Sequence, residues 1–225
     1  MPYSRPKRTI DDPQAMHGRM TAITHSGPLP WVQLRNAIFH PSIFRKMIGR
    51  MDTRVANGDL VAVYDRDGQP FGTGLLSLNA QIGLRMLTFD ASVVSEAIIA
   101  ERLAEAVRLR HEMLGLPKVT DAYRVVHAEG DGLPGLIVDR YHDFAVVEIF
   151  SFPMFRRMEA IGEELKMLLG VKEVLFRSDV RVQGAEGFEM PDEAPMGPTG
   201  ERSPDRKSTI VTENGVRFQI DLTHG

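Results

Sequence analysis

The stretch Tyr123-Arg-Val-Val-His-Ala-Glu-Gly-Asp-Gly-Leu-Pro-Gly-Leu-Ile-Val-Asp-Arg-Tyr141 decides how the rest of the chain is read. Val125 and Val126 are β-branched, Gly130, Gly132, Pro134 and Gly135 fall within six positions, and Leu136-Ile-Val138 resumes an apolar run. β-Branched side chains favour extended backbone and glycine and proline punctuate it, so the order is strand, tight acidic turn, strand. Two residues suffice to reverse a strand, and four breakers around Glu129 and Asp131 exceed what a plain hairpin requires. The two carboxylates leave two readings open: a pair for acid–base work, or an acidic turn that caps its own backbone amides.

Amino-terminal to this stretch, Ile99, Leu103, Ala106, Val107 and Leu114 recur at helical spacing. Ser95 is the candidate N-cap with Glu96 beside it, and Gly115 and Pro117 supply the stop. On the carboxyl side, residues 145–150 read as a strand. A second helix starts near Pro153, buries Met158, Ile161, Leu165, Leu168 and Leu169, and ends at Gly170. Residues 173–177 form a further strand, and Arg177-Ser-Asp179 reads as a loop fixed by an Arg–carboxylate bridge. Strands on both sides of a helix predict a small α+β domain of strand-strand-helix-strand-strand type over residues 91–189.

Residues 31–90 have a different grain. Strands are expected at 32–37, 60–64, 71–75 and 82–88, a short helix at 40–50, and turns at Asn57-Gly58 and Asp65-Arg-Asp-Gly68. Short strands with turns between them point to a compact β-barrel-like module. Residues 1–30 contain five prolines and read as a disordered or loosely draped terminus. Residues 190–207 read as a Pro-rich linker, and Asn214-Gly215 marks a hairpin between strands at 209–211 and 216–222. The class is therefore α+β, without a complete dinucleotide-type Rossmann domain.

The chain has no cysteine, which excludes disulfides, thiolate zinc sites and cysteine nucleophiles. A hydrophobic fraction of 43% and a charged fraction of 25% are those of an ordinary globular protein. No apolar run reaches the length of a membrane span and the terminus has no signal-type apolar core, so a cytoplasmic location is expected and no membrane partner. Seven histidines show no ligand spacing, so no metal is expected. Gly72-Thr-Gly74 lacks the third glycine of a dinucleotide loop and reads as a turn in the barrel, and His111-Glu112 lacks a zinc-protease partner and reads as a helix surface pair.

Charge is uneven. Residues 1–60 hold nine Lys/Arg against four Asp/Glu, a balance of +5, while the remainder is −8, giving −3 in all. Arg35, His40, Arg45, Lys46, Arg50 and Arg54 lie within twenty residues of one another together with Phe39 and Phe44. Basic groups neutralise phosphates and aromatic rings stack on exposed bases, so this cluster is the candidate RNA contact, although the two phenylalanines serve equally well as core. A solvated basic face is the plainer alternative.

The Tyr123–Tyr141 stretch resembles the middle domain of the large-subunit ribosomal RNA cytosine-C5 methyltransferase I family. Three further segments resemble that family in its order: Gln81-Ile-Gly-Leu-Arg-Met-Leu-Thr-Phe89, Arg177-Ser-Asp-Val-Arg-Val-Gln-Gly-Ala-Glu-Gly187, and Glu213-Asn-Gly-Val-Arg-Phe-Gln-Ile-Asp-Leu-Thr-His-Gly225. The resemblance implies that residues 31–90 are a PUA-type pseudo-barrel that binds structured RNA, and it adds Arg85 to the RNA-contact candidates. Tyr123, Arg124, Glu129, Asp131, Pro134, Arg177 and Asp179 are the motif residues it implies are structural. One departure is His40-Pro41-Ser42 where the family has a His-Pro-Trp turn, which removes an aromatic surface.

In that family the closing His-Gly leads into a domain that binds S-adenosylmethionine and carries the cysteine nucleophile. The resemblance therefore implies a substrate-positioning portion of a 23S rRNA methyltransferase, truncated before its catalytic domain, inactive alone, with no cofactor or catalytic residues of its own and with one apolar face of its last hairpin open for association. Two other readings remain: a stand-alone RNA- or protein-binding adaptor, and a small unrelated enzyme that uses Glu129 and Asp131.

Overall fold

The β-branched and aliphatic runs of residues 31–90 pair into one strongly curved sheet, and the order of its strands explains the curvature. The computed structural model describes residues 20–92, 94–191 and 208–222. Strands β1 (Trp31–Leu34), β2 (Ser42–Phe44), β3 (Ile48–Met51), β4 (Leu60–Tyr64), β5 (Pro70–Leu76) and β6 (Ile82–Thr88) lie in the order β2-β6-β5-β4-β1-β3. β1 and β4 run parallel and every other pair is antiparallel. The two edge strands are consecutive in the chain, joined by a 3-10 turn at Arg45–Met47, so the sheet must roll back on itself. Two backbone bonds pin that seam: Arg45 N–H to the Gln81 carbonyl at 2.9 Å and Arg35 N–H to the Met47 carbonyl at 2.7 Å. Closure leaves Val32, Leu34, Ile43, Val61, Val63, Leu76, Leu84 and Met86 packed inside.

The short helix expected at residues 40–50 is thus a strand, a turn and a strand. Ile43 and Ile48 are β-branched, and the free edges of β6 and β1 offer ladder hydrogen bonds that an isolated turn of helix does not match. Residues 20–30 are described and lie draped against the barrel. They form no regular element, yet buried Gln33 donates from Nε2 to the Thr21 carbonyl (2.9 Å) and the Arg66 carbonyl (3.2 Å), and His25 bonds Tyr64 Oη at 2.8 Å. Residues 1–19 lie outside the described residues.

The middle portion is a four-stranded sheet ordered β10-β9-β8-β7, built from β7 (Ala122–His127), β8 (Leu136–Tyr141), β9 (Phe144–Ile149) and β10 (Glu173–Arg177). Helices α1 (Ala97–Arg108), α2 (Phe152–Phe155) and α3 (Met158–Leu169) accompany it. Leu103, Ala106 and Val107 of α1 and Ile161, Leu165 and Leu169 of α3 share one core with Val126, Val138 and Val147 of the sheet. Leu60, Leu75 and Leu87 of the barrel belong to that same core, so burial of apolar area welds the two portions together.

Two features of this portion were not anticipated. α1 continues into a π-helical turn at Leu109–Met113, and the extra residue per turn swings Leu114 out of the apolar stripe to 59% exposure. Beyond β10, residues expected to form a bridged loop begin helix α4 (Val180–Glu186), whose N-cap Asp179 accepts from Arg181 N–H at 2.7 Å through Oδ1. Seven residues are too few for a visible apolar period.

The last hairpin, β11 (Ser208–Glu213) and β12 (Val216–Asp221), backs the other side of the middle sheet. Val146 and Leu175 of the sheet are buried with Leu222, and Ile220 packs against them. An entirely open apolar face is therefore not what forms, although Ile210, Val216 and Phe218 remain 46%, 56% and 48% exposed. The linker expected at 190–207 and the terminal His-Gly fall mainly or wholly outside the described residues. No described helix is long and apolar enough to cross a membrane.

Candidate nucleic-acid interface

The described arginines divide by whether another protein group already satisfies them. Arg156 holds Asp59 at 2.9 Å, Arg157 holds Glu96 at 2.5 Å, and Arg110 holds Asp131 with its two nitrogens at 2.5 and 2.9 Å. Arg102, its pKa lowered by burial, donates to the carbonyls of Leu87 and Gly132. These groups cement the structure and leave no charge for a ligand. By contrast, among the described residues Arg45, Lys46 and Arg50 make no side-chain hydrogen bond or ion pair, and Arg35 makes one, from Nε to the Ile48 carbonyl at 3.3 Å. All four side chains are exposed: Arg35 directly follows β1, Arg45 and Lys46 lie in the 3-10 turn and Arg50 in β3, at the barrel seam.

Aromatic rings flank them. Phe39 is 81% exposed, with its ring 5.1 Å from Phe71 and 5.7 Å from Phe89, and Phe44 is 43% exposed. Both are available as stacking surfaces, so neither is core. Phe44, Arg45 and Lys46 line one wall of an open pocket of about 390 Å³, and Asn79, Ala80 and Gln81 line the other. Asn79, Ala80 and Gln81 come from the turn between β5 and β6. Nothing in the sequence marked them, because a polar turn becomes a wall only when the barrel closes.

The other expected RNA contacts sort differently. Arg54 forms a fork with Asp52 (2.6 Å at the shortest), whose carboxyl is held below its ordinary value first by that hydrogen bond. His40 turns inward on its own loop, its Nδ1 3.0 Å from Ser42 N. Arg85 is 5% exposed and cannot reach a ligand at the seam: it pairs with Glu186 at 2.6 Å and donates to Ser77 Oγ and the Phe150 carbonyl, each at 3.3 Å. A charge on a strand face gives no sign in sequence of a partner 101 residues away.

The motif residues of the opening stretch are fixed by their neighbours. Besides Arg110, Asp131 Oδ2 accepts from His127 N–H at 2.6 Å, the self-capping acidic turn. Glu129 is exposed, and Pro134 is buried. Arg124 is clamped to Asp139 (2.9 and 3.0 Å), and that hydrogen bond raises its pKa. Tyr123 Oη lies 2.7 Å from His111 Nε2, whose pKa is lowered first by burial and then by Arg140. Arg177 ends β10 and Asp179 caps α4. The pairing of Asp131 with Arg110 gives it a structural duty.

Gly72-Thr73-Gly74 lies inside β5, paired to β4 on one side and β6 on the other. It is a strand interior rather than a turn, and it does not fit a phosphate cradle. Among the described residues no group of three or more His, Asp or Glu is placed to hold a metal ion.

Residues 37–89 match the family model described as a PUA-like domain. The chain carries a PUA-like domain. Over 83% of its length it is 33% identical to "Ribosomal RNA large subunit methyltransferase I" of Vibrio parahaemolyticus and 31% identical to the protein of that name from Escherichia coli O9:H4. Those alignments cover 45% and 46% of the two relatives, so the chain spans about half the length of the curated relatives it matches. A solved chain from Streptococcus mutans, described as a candidate SAM-dependent methyltransferase, superposes with a TM-score of 0.54 over 76% of this chain and 42% of its own at 17% identity, which shows a shared fold. A second, solved with SAH, gives 0.55 over 77% and 42%. Over most of its length the chain is thus similar to proteins named as ribosomal RNA large-subunit methyltransferases, and the cations without a partner among the described residues sit within or beside its PUA-like barrel.

Proposed function

We propose that this chain is the RNA-gripping portion of an S-adenosylmethionine-dependent 23S rRNA cytosine-C5 methyltransferase, and that it positions substrate without performing the transfer. The observation that carries the proposal is the row of cations Arg45, Lys46 and Arg50, without a partner among the described residues, beside open phenylalanine rings on the PUA-like barrel. Cations clustered at one seam without a partner among the described residues, beside aromatic rings, suit a polyanion. Gly72-Thr73-Gly74, whose spacing starts like a dinucleotide loop, is paired on both sides within β5 and offers no phosphate cradle. C5 methylation of cytosine needs a thiolate that this cysteine-free sequence does not supply. The work of these residues is to bind and orient RNA.

The test is binding of the purified chain to a large-subunit rRNA fragment by fluorescence anisotropy across a salt series. The double substitution Arg45→Ala/Lys46→Ala should weaken binding and lower the log–log salt slope by roughly one for each phosphate no longer neutralised, about two in all. Equal affinity and equal slope in the substituted chain would overturn the assignment of these two residues.

A further inference from the structure

The pocket at the barrel seam is built for something smaller than a helix. Its volume of about 390 Å³ stands near the lower end of the range of roughly 300–1,000 Å³ common for ligand pockets, which admits one nucleotide and no duplex. One wall offers the half-open ring of Phe44 and the charges of Arg45 and Lys46, which have no partner among the described residues. The other offers Asn79 and Gln81, whose side-chain amides make no hydrogen bond among the described residues. An amide both donates and accepts, so a pair of them can match the polar edge of an unpaired base.

The walls are held in place before any ligand arrives. Arg45 N–H donates to the Gln81 carbonyl at 2.9 Å, tying one wall to the other, and Leu78 N–H donates to Asn57 Oδ1 at 2.7 Å beside Asn79. Behind Asn79 lies the end of α4: a Cβ added at Gly187 would stand 3.3 Å from Asn79 Nδ2, and the preceding residue, Glu186, is pinned by the buried ion pair with Arg85. The site therefore sits where barrel and middle portion meet.

We infer that this pocket takes a single unpaired nucleotide of a folded RNA, a bulged or looped residue. Its base lies against Phe44, its polar edge meets Asn79 and Gln81, and its phosphate meets Arg45 and Lys46. The inference rests on the RNA-binding reading and adds the structural class of RNA that is selected.

It is tested with the full 225-residue chain and two labelled RNA hairpins, identical but for one bulged nucleotide, the bulge being made in turn with each of the four bases. The unsubstituted chain should bind at least one bulged hairpin more tightly than the paired one. Phe44→Leu, which keeps an apolar side chain, should lose roughly five- to 150-fold in affinity for the bulged RNA, the range for one base–aromatic stack. The same variant should lose less affinity for the paired hairpin than for the bulged one, so that the ratio of the two affinities falls. Asn79→Ala should change which bulged base is preferred. A 2-aminopurine at the bulge should be quenched by the unsubstituted chain and not by Phe44→Leu. Equal binding of paired and bulged RNAs, with normal salt dependence, overturns the pocket assignment and leaves RNA binding standing. Failure to bind either RNA overturns both.

Discussion

Removing Glu186 tests the claim that barrel and middle portion are one body. Its carboxylate takes hydrogen bonds from Arg85 at 2.6 Å, Ser77 Oγ at 3.0 Å and Phe152 N–H at 3.1 Å, and both charged side chains are only 6% exposed. Glu186→Ala leaves the Arg85 guanidinium buried without a counter-charge, a change that costs about 3–5 kcal/mol. For a chain of this size each kcal/mol moves the melting temperature by about 2–4 °C, so the expected fall is about 6–20 °C. Glu186→Gln should lose nearly as much, because the charge and not the shape is what is missing. In Arg85→Met/Glu186→Leu no buried charge is orphaned. The remaining penalty lies in neutral groups, the Phe152 N–H, the Ser77 hydroxyl and the Phe150 carbonyl, each costing less than an orphaned charge, so the double variant should be more stable than Glu186→Ala. Scanning calorimetry with urea titration followed by circular dichroism gives the value for each of the three variants, and because Leu60, Leu75 and Leu87 share the middle core, every variant should melt in one transition. A loss below about 1 kcal/mol for the two Glu186 variants, or a double variant less stable than Glu186→Ala, would refute the reasoning.

Other consequences are open to the same instruments. Gly135 has φ +87°, and a Cβ there would stand 2.7 Å from Ser151 Oγ, so Gly135→Ala should cost about 1–3 kcal/mol in urea titration, while no measurable change would show that the turn relaxes freely. Arg110→Ala strands Asp131, whose side chain is 7% exposed, and should cost about 3 kcal/mol and loosen hydrogen-exchange protection of residues 127–132. His111 has a pKa lowered below its ordinary value of about 6.5, mainly by burial. A depressed folded value means that its contribution is present above about pH 6.5 and is lost as pH falls through the folded value. His111→Gln should therefore flatten the decline of stability between pH 7 and 5, and an unchanged slope would assign that decline to other groups.

Much of this molecule is local enough to be written in the sequence. The run from Tyr123 to Tyr141 forms β7, a 3-10 turn and β8 because β-branched residues and well-placed glycines act within a few residues of themselves, with Gly132 at φ +68° and Gly135 at +87°. Stripes at Leu103 and Ala106 or Ile161 and Leu165 declare which helix face is buried for the same reason. What sequence could not decide depends on partners far along the chain. Residues 40–50 are strands because β6 and β1 leave edges to be filled, and Leu114 faces outward because a π-turn shifts the helix phase. Arg45 and Arg85 are the same amino acid in the same barrel. Only the fold leaves one unpaired at an open pocket and sinks the other against a glutamate 101 residues on, since desolvation and counter-charge are properties of place, not of residue type.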